Sequence, residues 1–127
     1  MKKYLSSIED IIEEARKGNM FILVDAEDRE NEGDLVIPAD DITPDVVNFM
    51  SKYGRGLICL SLTEKRVNHL GLSLMSPKNK SRHNTAFTIS IESREGVTTG
   101  ISAKDRATTI ATAISSQSGA EDIVSPG

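Results

Sequence analysis

Residues 25–34 read Asp-Ala-Glu-Asp-Arg-Glu-Asn-Glu-Gly-Asp: six carboxylates in ten positions, with Arg29 the only base. Like charges so crowded repel one another unless a cation or a binding partner compensates them. An arbitrary acidic run is ordinarily a solvated loop, but the order here argues for more. Glu30, Glu32 and Asp34 alternate, and in an extended segment alternate side chains share one face. Hard carboxylate oxygens on one face suit magnesium, which takes one or two protein carboxylates and leaves its other positions to water and substrate. An EF-hand calcium loop is the rival. Asp28, Glu30, Glu32 and Gly33 fit its first, third, fifth and sixth positions, yet the twelfth falls on Ala39, where a bidentate glutamate is required. The flanks also read as strands rather than helices, so the calcium reading fails.

The elements that must hold this segment follow from pattern. Phe21 to Val24 is a short continuous apolar run, the mark of a buried strand, and Leu35 to Ile37 before Pro38 reads as a second. Upstream, Ser7 with Asp10 resembles a capping box. Ile8, Ile11, Ile12 and Ala15 recur at helical spacing until Lys17-Gly18. Thr43-Pro44 predicts a helix start, with Val46, Val47, Phe49 and Met50 as its apolar face up to Gly54. Leu57 to Leu60 reads as another buried strand, which makes Cys59 either a small core hydrophobe or a reactive thiol. Thr63 opens a short helix with Val67 and Leu70, ended by Gly71.

Residues 76–84 form a polar loop with three basic residues, Lys78, Lys80 and Arg82, and with His83. Phe87, Ile89 and Ile91 alternate with polar residues as in a half-buried strand. A glycine-bracketed turn, 96–100, carries Thr98 and Thr99. Ser102 and Asp105 then cap a helix with Ile110, Ala111 and Ile114 inward. Strands alternate with helices, which points to α+β or α/β layering, and 127 residues without a linker or repeat fit one domain. A net charge of −4 disfavours nucleic acid as partner. One cysteine excludes an internal disulfide framework, no signal peptide is recognisable, and no apolar run reaches the ~18 residues of a membrane span, so a cytoplasmic location is expected.

Asp-Arg-Glu-Asn-Glu-Gly-Asp (28–34) directly after a strand resembles the signature of the 3,4-dihydroxy-2-butanone 4-phosphate synthases of riboflavin biosynthesis. The resemblance continues through Gly-Leu-Ile-Cys-Leu (56–60), Thr-Ala-Phe-Thr (85–88), Glu-Gly-Val-Thr-Thr-Gly-Ile-Ser (95–102), Asp-Arg-Ala-Thr-Thr (105–109) and Ser-Pro-Gly (125–127). It implies a lyase that converts D-ribulose 5-phosphate into formate and 3,4-dihydroxy-2-butanone 4-phosphate, with magnesium and no organic cofactor; oxygen ligands of this kind would accept manganese as well. The implied chemistry proceeds through enediol formation, loss of a hydroxyl, skeletal rearrangement and excision of one carbon, each step needing proton transfer beside an oxyanion. The implied fold is a mixed sheet flanked by helices on both sides, assembled as a homodimer.

Carried over residue by residue, the resemblance makes Glu30 a magnesium ligand, with Arg29 and Asp34 contacting substrate. Asp25 and Glu32 become candidates for proton transfer or for supporting the site. Cys59 falls on an active-site cysteine, and Thr98 and Thr99 fall in a segment near the substrate. His69 on its helix and His83 in the basic loop are both expected in ordinary surface roles, with closure of the His83 loop over the substrate as the alternative. In the family, Ser-Pro-Gly leads into a catalytic histidine, followed by an arginine-glycine-histidine-threonine stretch and a catalytic glutamate, none of which lies within residues 1–127. The expectation is therefore the amino-terminal part of such an enzyme, whose parent is often fused to a second riboflavin-pathway enzyme. The alternative is an inactive fragment that binds metal or sugar phosphate.

Overall fold

The computed structural model describes residues 4–76, 78 and 85–127. Lys80, Arg82 and His83, hence most of the expected basic loop, lie outside the described residues. The chain gathers into two compact units, one up to Ile42 and one from Thr43.

The first unit begins with α1 (Ile8–Arg16). Ser7 caps it as its spacing predicts: the hydroxyl accepts the Asp10 N–H at 3.1 Å, satisfying one of the donors that a helix start leaves open. Gly18 ends it at φ +76°, a left-handed conformation that favours glycine. Two strands follow, β1 (Phe21–Val24) and β2 (Gly33–Val36), paired antiparallel from Phe21↔Val36 to Val24↔Gly33. The second strand starts two residues earlier than Leu35, so Gly33 and Asp34 belong to the ladder. The expectation that β1 is buried is not met: Ile22, Leu23 and Val24 are 61%, 57% and 54% exposed. A continuous apolar run needs cover on both faces, and a two-stranded ribbon cannot supply it.

The second unit opens with α2 (Pro44–Phe49), whose Thr43 hydroxyl accepts the Val46 N–H at 3.2 Å. The helix widens into a π turn (Met50–Gly54), closed by Arg55 N–H to the Met50 carbonyl at 3.0 Å. Val47 is fully buried, and α2 packs on α4 (Ala103–Ile114). The inward face of α4 is Ala107, Ile110 and Ala113 with Asp105 and Thr109; Ala111, expected inward, is exposed. Positions 107, 110 and 113 share one stripe, and Ala111 lies outside it. Between these helices, α3 (Glu64–His69) is capped by the Thr63 hydroxyl at 3.2 Å from Arg66 N. Leu70, Ala113 and Ile123 make the buried centre, with Leu60, Leu62, Leu72 and Ile91 against it.

Residues 57–60 form no strand. Leu57 is 78% exposed and Cys59 is exposed, so the buried strand expected of this apolar run is not found. Thr88 bridges Leu74, and β3 (Glu92–Ser93) pairs antiparallel with β4 (Ile123–Val124). The α+β class therefore holds, with helices beside short sheets. Among the described residues the pairing consists of two separate antiparallel ribbons and one isolated bridge. No helix among these residues is long and apolar enough to cross a membrane.

Candidate active site

Asp25 builds the acidic loop. Its N–H reaches the Glu32 carbonyl at 2.9 Å, adding one rung to the β1–β2 hairpin. Its carboxylate then turns inward over the loop. Oδ1 accepts the Ala26 N–H at 2.8 Å, while Oδ2 accepts the Glu30 N–H and the Arg29 Nη1–H, both at 2.9 Å. These donors, the Glu30 N–H foremost, hold the Asp25 carboxyl below the ordinary aspartate range. The same hydrogen bond raises the Arg29 guanidinium, which stays cationic at any working pH. Asn31 turns the chain at φ 53°, a left-handed conformation that asparagine tolerates.

That turn overturns the expected alternation. Glu30 sits within a turn, Glu32 follows the left-handed Asn31, and only Asp34 is in a strand, so the three carboxylates do not share one face of an extended segment. The dipeptide Asn-Glu here serves curvature, not periodicity. The Glu30 carboxylate lies 3.4 Å from Arg29 Nη2 and remains partly exposed. Glu32 and Asp34 are exposed, and among the described residues the Glu32 carboxylate has no hydrogen-bond or ion-pair partner. No group of three or more His, Cys, Asp or Glu side chains among the described residues is gathered around one point. The donor chemistry still fits a hard divalent cation: exposed carboxylate oxygens, one or two per ion, with substrate and water completing the shell. It does not fit a cage made by protein alone.

In the second unit, Cys59 is exposed, with Sγ 3.8 Å from the Leu57 carbonyl. The buried-hydrophobe reading of this cysteine therefore does not hold. His69 is exposed on α3 with Nε2 3.1 Å from the Ser118 carbonyl, a surface contact to the turn that follows α4.

Thr98 and Thr99, equivalent by sequence, are not equivalent in space. Thr98 gives Asp105 Oδ2 its hydroxyl proton at 2.7 Å and its N–H at 3.1 Å, and Gly100 N–H reaches the same oxygen at 3.0 Å. The Thr98 hydroxyl is the main cause that holds Asp105 below the ordinary aspartate range, against the opposing effect of burial. Thr99 is exposed, and among the described residues its side chain has no hydrogen-bond partner. Sequence reading missed Asp105 as more than a capping residue. The available signal was a turn with two backbone donors and no ladder, which must find an acceptor nearby.

Residues 9–127 match the family model described as 3,4-dihydroxy-2-butanone 4-phosphate synthase. The Photobacterium phosphoreum protein named 3,4-dihydroxy-2-butanone 4-phosphate synthase is 54% identical over 97% of this chain and 34% of its own length. The riboflavin biosynthesis protein RibBA of Aquifex aeolicus is 52% identical over 96% of this chain and 30% of its own. A crystal structure of 3,4-dihydroxy-2-butanone 4-phosphate synthase in complex with two magnesium ions superposes with TM-score 0.93 at 34% identity, covering 97% of this chain and 57% of that one. The chain thus spans about a third of the length of these two curated relatives. On this family match, which takes in the acidic loop and the threonine turn alike, the chain belongs to the 3,4-dihydroxy-2-butanone 4-phosphate synthase family.

Proposed function

We propose that the protein takes part in converting D-ribulose 5-phosphate to formate and 3,4-dihydroxy-2-butanone 4-phosphate in riboflavin biosynthesis, as a cytoplasmic, magnesium-using lyase. The observation that carries this reading is the internal division of labour within the acidic loop. Asp25 is committed to three donors and fixes Arg29 and Glu30, so its role is support rather than proton transfer. Glu32, with its carboxylate unengaged, is the residue placed to take and return a proton.

Glu30 would hold the cation through the carboxylate that faces Arg29, and manganese suits the same oxygen donors. A bound divalent ion supplies electrostatic stabilisation of oxyanions on the sugar. Arg29 offers a permanent cation to the anionic substrate, and Asp34 an acceptor for a sugar hydroxyl. Cys59 and the turn that carries Thr98 and Thr99 are assigned to substrate contact. One family model runs through both compact units, which supports a single domain, and we infer a homodimer as the working assembly.

The test is formate release from D-ribulose 5-phosphate with magnesium. Activity should vanish on chelation and return with magnesium or manganese. Glu30→Ala should lower kcat/KM by at least about 100-fold at fixed metal, because a metal-bound oxyanion is worth several kcal/mol in the transition state. Retained turnover in Glu30→Ala, or turnover indifferent to chelation, contradicts the assignment. Magnesium-dependent ligand binding without formate would point instead to a binding protein.

A further inference from the structure

Residues 96–100 lie in no ladder or helix, so their backbone donors need an outside acceptor. A single carboxylate oxygen serves two of them, together with one hydroxyl. Asp105 Oδ2 accepts Thr98 N–H at 3.1 Å, Thr98 O–H at 2.7 Å and Gly100 N–H at 3.0 Å. The acceptor is itself anchored. Asp105 stands in the first turn of α4, its own N–H reaches the Ser102 hydroxyl at 3.0 Å, and the residue is only 3% exposed. Gly100 suits the turn through its backbone: φ is +84°, a left-handed conformation that favours glycine. The usual capping-box acid turns back to its own N-cap; this one reaches past it to organise a turn.

The consequence falls on the two threonines. Both threonines are exposed, but the Thr98 hydroxyl proton is engaged by Asp105, whereas the Thr99 side chain, in the turn that Asp105 braces, has no hydrogen-bond partner among the described residues. We propose that Asp105 is a positioning residue: it fixes the 96–100 turn so that Thr99, and not Thr98, offers the hydroxyl that meets the sugar-phosphate substrate. This rests on the substrate assigned under Proposed function. A charged acceptor matters, because ionised acceptors bind N–H and O–H groups about twice as strongly as neutral ones.

The experiment compares wild type with Asp105→Asn, Asp105→Ala, Thr98→Val, Thr99→Val and Ser102→Ala. Amide hydrogen exchange at Thr98 and Gly100 is measured first, without ligand. Loss of the acceptor should speed exchange there on the order of 10- to 100-fold in Asp105→Ala, less in Asp105→Asn, and leave it unchanged in Thr99→Val. Ser102→Ala weakens the α4 cap while leaving the acceptor in place, so it separates helix loss from turn loss. If Asp105→Ala does not fold, Asp105→Asn alone decides. Unchanged exchange at Thr98 and Gly100 overturns the proposal.

Steady-state kinetics with D-ribulose 5-phosphate and magnesium come second. Thr99→Val and Asp105→Asn should each cut kcat/KM on the order of 10-fold, chiefly through KM if the hydroxyl binds the ground state. Thr98→Val should cost less than Thr99→Val. An active wild type with Asp105→Asn and Thr99→Val both silent, or with Thr98→Val the more damaging, overturns this inference alone. A wild type that neither binds nor turns over the substrate overturns it together with the reading it rests on.

Discussion

Arg66 offers a quantitative test of how the second unit is held together. It projects from α3 to the end of α4, where Nε donates to the Ala113 carbonyl at 2.7 Å and Nη2 to the Ser115 carbonyl at 2.5 Å. Those carbonyls belong to the last turn of α4, where acceptors lack partners inside the helix and the dipole is negative. A hydrogen bond to a charged group contributes roughly 1.5–3 kcal/mol net, so two would total about 3–6 kcal/mol. Ordering a long arginine costs up to about 2 kcal/mol, and partial exposure weakens both bonds further. A net loss of about 2–3 kcal/mol is expected for Arg66→Met, which keeps the apolar stem. In a domain of this size that lowers Tm by about 8–12 °C. Arg66→Lys should recover only about half, because one ammonium cannot span both carbonyls as the planar fork does. Since the acceptors are carbonyls rather than carboxylates, added salt should change the difference little. Chemical denaturation read by circular dichroism, with m unchanged between variants, gives the free energies. A loss under about 0.5 kcal/mol for Arg66→Met, or a lysine variant equal to wild type, would refute the bidentate clamp.

Two further outcomes follow from local geometry. Asp25 and Asp105 both titrate below the ordinary aspartate value of 3.8, so their ionised forms add stability that is fully present above that value and is lost as pH falls through the lower folded values. Thermal midpoints should be level above about pH 5 and fall steeply below about pH 4, and Asp105→Asn should flatten that acid limb; an unchanged limb in the variant contradicts the assignment. Arg55 adopts φ 56°, ψ −151°, a region that only glycine enters without strain. Arg55→Gly should therefore stabilise by about 1 kcal/mol after glycine's greater unfolded-state entropy is subtracted, a rise of a few degrees in Tm; destabilisation would show that the arginine side chain itself holds the turn.

Much of this protein was determined by residues close in sequence. Ser7, Thr43, Thr63 and Ser102 each cap a helix as their spacing predicts, because a cap is a contact across three residues and needs no tertiary partner. The acidic motif likewise declared its chemistry in order and type, since its charges lie within one hairpin connection. Contacts at longer range were decided only by the tertiary structure. Periodicity placed Glu30, Glu32 and Asp34 on one face, but Asp25 pulls the loop into a turn by bonding the chain four and five residues ahead. Apolar runs at 21–24 and 57–60 looked buried, yet burial depends on what lies across from a strand, which a run of letters does not contain. Thr98 and Thr99 were interchangeable on paper until Asp105 engaged one of them. Arg66 was an ordinary helix-surface residue until the end of α4, 47 residues away, came within reach. Local chemistry sets caps, turns and charge; which of those charges finds a partner is a property of the folded chain alone.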